Sequence, residues 1–237
     1  MIIIKKDVIT STNDYIKDNY ETLENYTVVT ANYQTNGKGR ISRTWESKPC
    51  ENIIFSMLIN DFKNRTDLNL LSLVSSVSVH KLLNKYLINT KIKWPNDILV
   101  DNKKICGILL EGKSNTKSSM IVIGIGINVN QITFSDEIDN LTTSLRKELN
   151  KHFDIDTLVL ELRNQLLSDI EDFLNNNNTF IDYIRNNLYA KNQTITYTKD
   201  NKEYEGIILD VYDDGKLIIK KDEEILYINS GEIKIKR

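Results

Sequence analysis

The segment best suited to chemistry is Gly37-Lys38-Gly39-Arg40-Ile41-Ser42-Arg43-Thr44-Trp45. Lys38, Arg40 and Arg43 gather three positive charges on a short stretch. Guanidinium groups grip phosphate or carboxylate through paired hydrogen bonds, and glycine lets a backbone come close to a ligand. A loop of this kind suits a polyanion such as a nucleoside triphosphate. It is not a Walker loop, because the glycine spacing and the terminal Lys-Ser/Thr are absent. The bland alternative is a solvated basic turn.

Other residues could share a site with it. Ser11-Thr12-Asn13-Asp14 precedes an apolar pair and reads as a helix N-cap, where free N–H groups can also meet a ligand. Asp97 stands just before an apolar run, and Lys104 opens another. Asp101-Asn102-Lys103 between them reads as a hairpin turn, which would bring Asp97 and Lys104 together. That pair is either a plain salt bridge or a carboxylate and an amine facing one pocket. Gly124 and Gly126 alternate inside an apolar strand and so lie on one face, as glycines do where something approaches a strand closely. They are not a dinucleotide fingerprint, since the third glycine and the following helix are missing. Asn128 ends that strand with a polar side chain.

The elements that must hold these residues follow from periodicity. Strands are expected over 2–9, 28–31, 52–59, 104–111 and 119–129, the last apolar enough to be covered on both faces. Residues 92–100 read as a strand interrupted by Pro95, implying a bulge or an edge. Helices are expected over 67–87, 155–174 and 179–188. His80 lies on the first of these with no partner evident in the sequence. From about residue 190 short strands alternate with turn residues such as Asp213-Asp214-Gly215, which indicates a small all-β domain. The expectation is a larger α+β domain over 1–188 and a β-barrel domain over 189–237.

Composition sets limits. The 237 residues are 40% hydrophobic and 27% charged, enough for one sizeable core and a small appended domain. A net charge of -2 argues against bulk electrostatic binding of nucleic acid. The two cysteines, Cys50 and Cys106, form no CxxC, so neither a disulfide framework nor a zinc site is expected. The N-terminus shows no signal-peptide pattern and no run of about 18 apolar residues occurs, so the expected setting is the cytoplasm, without a membrane span. Six of the nine glycines, both prolines, both tryptophans and both cysteines fall within residues 37–126, which is where a site is to be sought.

Taken in order, Ser11-Thr12-Asn13, Gln34 to Trp45, Lys93-Trp94-Pro95-Asn96-Asp97 with Lys104 to Leu109, and Gly124 to Asn128 resemble the biotin protein ligase family. Leu141 to Leu145 and Ser230-Gly231-Glu232-Ile233 extend the resemblance over essentially the whole chain. Each motif alone is weak; the ordered set is specific. It implies a central mixed sheet with flanking helices, related to class II synthetase cores, plus an SH3-like C-terminal barrel. It also implies two steps. Biotin and MgATP give biotinyl-5′-AMP, and a lysine of a biotin carboxyl carrier domain then takes the biotinyl group.

On that resemblance, Ser11, Thr12, Asn13, Gln34, Gly37, Lys38, Arg40, Lys104, Gly107 and Gly124 would meet biotin. Arg40, Arg43, Trp45 and Asn128 would meet ATP or the adenylate. Lys104, Arg40 and Asp97 would be catalytic, with Asp97 orienting or deprotonating the incoming amine. Mg²⁺ would travel with ATP, held by no protein cluster, and a homodimer is compatible. Ile41 and Ser42 stand where the family commonly has Arg-Gly, a departure expected to weaken phosphate binding or retention of the adenylate. Ser11 lies too near the start for a preceding DNA-binding domain, so a ligase without DNA binding is expected. The rivals are a lipoate–protein ligase of the same fold and a non-catalytic nucleotide- or RNA-binding module.

Overall fold

A computed structural model describes residues 2–41, 43–63, 65–86, 89–114, 119–199, 202–229 and 232–235. The chain runs β1 (Ile3–Ile9), α1 (Thr12–Asn19), β2 (Val28–Gln34), β3 (Asn52–Ile59), α2 (Leu71–Asn84), β4 (Thr90–Lys93) and β5 (Asp97–Val100). It continues through β6 (Lys103–Ser114), β7 (Ser119–Asn128), α3 (Leu145–Leu149), α4 (Ile155–Leu174) and α5 (Thr179–Asn187). The strands β8 (Thr194–Lys199), β9 (Lys202–Val211), β10 (Leu217–Lys221), β11 (Glu224–Ile228) and β12 (Glu232–Ile235) complete it.

The first seven strands form one mixed sheet in the order β1-β2-β3-β7-β6-β5-β4. Only the β1–β2 pairing is parallel; the others are antiparallel. Side chains alternate between the faces of a strand, and the two faces have different work. Ile53, Phe55, Met57, Ile123, Ile125 and Ile127 face the main core, where α2 and α4 supply Leu71, Val74, Leu162 and Leu166. Each such fully buried side chain stabilises the fold by roughly 1.5–3 kcal/mol. On the opposite face, Val29, Leu58 and Val122 pack against Ile16 of α1 and Tyr20 at its C-terminal end in a smaller cluster. That helix covers only part of the face. Beyond it the register sets Gly107 opposite Gly126, and Gly124 between Leu109 and Ser56, so the sheet there is nearly bare of side chains.

Where a single interrupted strand was expected, residues 90–100 form a hairpin. β4 and β5 pair antiparallel, and Trp94-Pro95-Asn96 makes the turn. Periodicity reports alternation but not chain reversal, and proline suits a turn as well as an edge. β4 does lie at the sheet edge. The expected 67–87 helix opens with a 3₁₀ turn over Leu68–Leu70 and then runs as α2; its last expected residue, 87, lies outside the described residues. His80 is buried, with Nε2 2.9 Å from the Thr90 carbonyl and Nδ1 3.0 Å from the Tyr183 hydroxyl. Burial pushes its pKa down, so a neutral imidazole ties α2, β4 and α5 together as a structural group.

The C-terminal strands form an antiparallel five-stranded sheet, β11-β10-β9-β8-β12, consistent with the expected SH3-like unit. It packs on the larger sheet's layers: Trp94 Nε1 donates to the Gly215 carbonyl at 2.9 Å, and Ile195, Tyr197 and Leu217 join the main core. Ser230 and Gly231 of the expected closing motif lie outside the described residues. Cys106 is buried in β6, where loss of solvent drives its thiol pKa far up, whereas Cys50 is exposed. A thiol-reactive dye is therefore expected to titrate one cysteine in the native protein and both in denaturant.

Candidate active site

The basic loop is a miniature hairpin. Lys38 bridges Thr44, Gly39 N donates to the Arg43 carbonyl at 2.7 Å, and Trp45 N donates to the Gly37 carbonyl at 3.0 Å. Ile41 stands at its tip, exposed and at φ 54°. A β-branched residue is rarely found in that left-handed region, which costs an L-residue roughly 1–2 kcal/mol. Ser42, the other departure, lies outside the described residues.

Two side chains pin the loop to opposite walls. Lys38 Nζ donates to Asp14 Oδ1 of α1 at 2.7 Å, and Arg40 donates to Asn96 Oδ1 of the β4–β5 turn at 2.6 Å. Asn96 is itself fixed by bonds in both directions with Ile108, at 2.8 and 2.9 Å. Partial burial pulls the Asp14 carboxyl pKa up, but the hydrogen bonds and charges of Lys17 and Lys38 outweigh it and hold it below the usual carboxylate range.

Under the loop lies a cleft lined by Ser11, Thr12, Asn13, Gln34, Lys38, Arg40, Trp45, Lys104, Gly107 and Gly124. Its polar groups are already organised. Thr12 donates to Gln34 Oε1 through its backbone N–H at 2.7 Å and its hydroxyl at 3.0 Å. With that oxygen engaged, the Gln34 NH₂ remains as a donor for a guest. The Trp45 indole lies flat on the Gly107–Gly126 pair. A Cβ on Gly126 would sit 2.4 Å from the ring, and one on Gly107 at 3.0 Å. The two glycines make room for the tryptophan.

Two further cavities open from the same point. One, beside the Lys93–Asp97 segment, is lined by Arg40, Arg43, Trp45, Asp97 and Lys104. The other holds Gly37, Arg43, Trp45, Lys104 and Asn128. Trp45 and Lys104 border all three. In the last, Asn128 Nδ2 donates to the Thr143 carbonyl at 3.0 Å, and among the described residues its buried Oδ1, like the buried Trp45 Nε1 and Ser47 Oγ, has no hydrogen-bond partner. Buried polar atoms are nearly always satisfied, so a polar guest or water could complete this wall. Lys104 Nζ lies 2.8 Å from Asp97 Oδ1 and 5.6 Å from the Trp45 ring. The contact with Asp97 is an ion pair by distance, without the angle of a directed hydrogen bond. The expected proximity of Asp97 and Lys104 is thus met. The site can neutralise two anions at once and has a carboxylate beside them.

Sequence reasoning missed Asn96 as an anchor, Ser56 and Glu111 behind the cleft, and the Asp14–Lys17 pair. Ser56, the lone hydroxyl in the otherwise apolar run Ile53–Ile59, carried the one available signal.

Residues 6–128 match the biotin/lipoate A/B protein ligase family, and residues 192–235 match the biotin protein ligase C-terminal domain. The chain belongs to the biotin/lipoate A/B protein ligase family. Among relatives, it is 31% identical over 247 residues to the bifunctional ligase/repressor BirA of Bacillus spizizenii, covering 98% of this chain and 74% of that one. It is 27% identical to the biotin–[acetyl-CoA-carboxylase] ligase of Mycobacterium tuberculosis, covering 87% and 77% respectively. The solved biotin protein ligase of Aquifex aeolicus in complex with biotin and ATP superposes with a TM-score of 0.88 at 27% identity, covering 100% of this chain and 99% of that one. The mixed sheet, its flanking helices and the separate C-terminal sheet are therefore those of a ligase of this family.

Proposed function

We propose that the protein joins biotin to a specific lysine of a biotin carrier domain through biotinyl-5′-AMP, consuming ATP. The observation that carries this reading is the convergence of Ser11, Thr12, Gln34, Arg40, Lys104, Gly107 and Gly124, from four separate stretches of chain, on one cleft. In the first step the biotin carboxylate attacks the α-phosphorus of ATP and pyrophosphate leaves. Two anions have to meet, so cations held in place lower the barrier. Lys104 and Arg40 border both the cleft and its neighbour and suit that work. The Gln34 NH₂, turned outward because Thr12 occupies its Oε1, offers a donor to the ureido ring, while Arg43, Trp45 and Asn128 suit the nucleotide. In the second step a lysine amine attacks the mixed anhydride and AMP leaves. The amine has to be neutral, and Asp97 is the carboxylate placed to orient it or take its proton.

Mg²⁺ carried on the triphosphate would neutralise phosphate charge. A cytoplasmic setting and self-association belong to the same proposal. The terminal place of β1 in the sheet supports pairing between copies; sedimentation with and without biotin and ATP tests it.

The decisive assay is ATP–pyrophosphate exchange with biotin or with lipoate. Exchange is expected with biotin alone; exchange with lipoate only, or with neither, overturns the reading. Gly124 offers a narrower check. A Cβ there would stand 2.5 Å from Asn13 Oδ1, forcing the asparagine into the cleft. Gly124→Ala is expected to weaken biotin binding about 10-fold or more in calorimetry and to lower the melting temperature by several degrees, as overpacking costs roughly 1–3 kcal/mol.

A further inference from the structure

We propose that Glu111 is a positioning residue that fixes the biotin end of the cleft by holding the Asn13 carboxamide. The inference rests on the reading of the cleft as a biotin site. Glu111 lies on β6, two residues beyond Leu109 and four beyond Gly107, and so on the same face of the strand. Its Oε2 accepts from Asn13 Nδ2 at 2.7 Å, and its Oε1 accepts from Lys17 Nζ at 2.6 Å. An ionised carboxylate only accepts, so the NH₂ end of Asn13 is the end that can face it. The carbonyl end is thereby turned to Ser56, whose hydroxyl lies 2.5 Å from Asn13 Oδ1 and 2.7 Å from Thr12 Oγ1. Thr12 in turn spends its proton on Gln34 Oε1.

Both ends of Asn13 are anchored inside the protein, one amide hydrogen on Glu111 and the carbonyl on Ser56. Its side chain is then a wall of fixed orientation, stacked against the Cβ-free backbone of Gly124. Without Glu111 the Asn13 NH₂ would lose its charged partner and the carboxamide would be free to swing toward the cleft. The Ser56–Thr12–Gln34 chain would lose its anchor with it. Lys17 balances the Glu111 charge and also pairs with Asp14 at 2.8 Å, which holds Lys38 of the basic loop. One line of charge-assisted contacts thus joins the wall of the cleft to its lid.

The test compares full-length wild type, Glu111→Ala, Glu111→Gln, Ser56→Ala and the Glu111→Ala/Ser56→Ala pair. It reads biotin affinity by calorimetry, KM for biotin and for ATP with kcat in pyrophosphate exchange, and thermal melting. Glu111→Ala is expected to raise the biotin Kd and KM about 10- to 100-fold, the cost of leaving a buried donor unsatisfied, with kcat and the ATP KM within about threefold. Glu111→Gln keeps an acceptor for Asn13 and is expected to recover most of the loss. The double variant is expected to cost no more than the larger single one, as for groups acting in one chain. A folded Glu111→Ala that binds biotin within twofold of wild type overturns the proposal, as do equal rises in both KM values or strict additivity. Should Glu111→Ala fail to fold, the same KM split in Glu111→Gln and Ser56→Ala supports it, and its absence in both overturns it. Wild type that exchanges only with lipoate would instead sink the biotin reading, and this proposal with it.

Discussion

Lys104→Ala is expected to lower biotin-dependent pyrophosphate exchange by about 10²- to 10³-fold, the loss typical of removing one preorganised charge-stabilising donor. Lys104 borders all three cavities, the only residue besides Trp45 of those named above to do so. Its ammonium is partly exposed, and Asp97 at 2.8 Å holds it in place. A partly exposed pair of this kind contributes roughly 0–1 kcal/mol to stability. The melting temperature should therefore barely move while the rate collapses. Lys104→Arg should recover little, because a planar fork cannot replace a compact ammonium in the same gap. Asp97→Asn provides the contrast. If Asp97 serves the incoming amine, single-turnover transfer from preformed biotinyl-adenylate should fall more steeply than exchange, by about 10²-fold or more for loss of a general base. Equal losses in both half-reactions would make Asp97 only the holder of Lys104.

The residues of the cleft were legible because their types are unusual where they stand. Glycines inside an apolar strand, three cations within six residues beside two glycines, and a capping serine that also lines a cavity each break a local pattern. Such breaks concentrate at functional sites. The strands 52–59 and 119–129 and the helices 155–174 and 179–188 were legible from periodicity and nearly match β3, β7, α4 and α5. What periodicity cannot supply is pairing. The 90–100 segment has the alternation of one strand, yet it folds back at Trp94-Pro95-Asn96. His80 looked partnerless because Thr90 and Tyr183 are 10 and 103 residues away in sequence. Glu111 and Ser56 were passed over for the same reason, since their meaning lies in Asn13, which reaches them from another element across the sheet.

Arg40→Ala should cost nearly as much as Lys104→Ala, but in a different way. The guanidinium has two tasks that the structure allows to be separated. It lies within the cleft and the adjoining cationic cavity, and it clasps the loop to the far wall through Asn96 at 2.6 Å. Alanine at 40 removes both the charge and the clasp; Asn96→Ala removes the clasp and leaves the charge. Arg40→Ala is expected to reduce exchange by about 10²-fold or more, as when a transition-state donor is lost. It should also release biotinyl-adenylate faster, since one side of the loop is untied. Asn96→Ala should chiefly speed release, with exchange down by about 10-fold or less, the scale of one hydrogen bond to a charged group. Adenylate dissociation followed by stopped-flow fluorescence of Trp45 separates the two; equal release rates in both variants and in wild type would remove the clasp from the mechanism. Ile41 sharpens the point. It carries no charge, sits at φ 54° and is exposed at the loop tip, so it adds no clasp of its own to those that Lys38 makes with Asp14 and Arg40 with Asn96. Cutting the Arg40 tie leaves the reactive anhydride under a loop that has lost its clasp to the β4–β5 turn, and the partly exposed Lys38–Asp14 pair is of a kind that holds weakly.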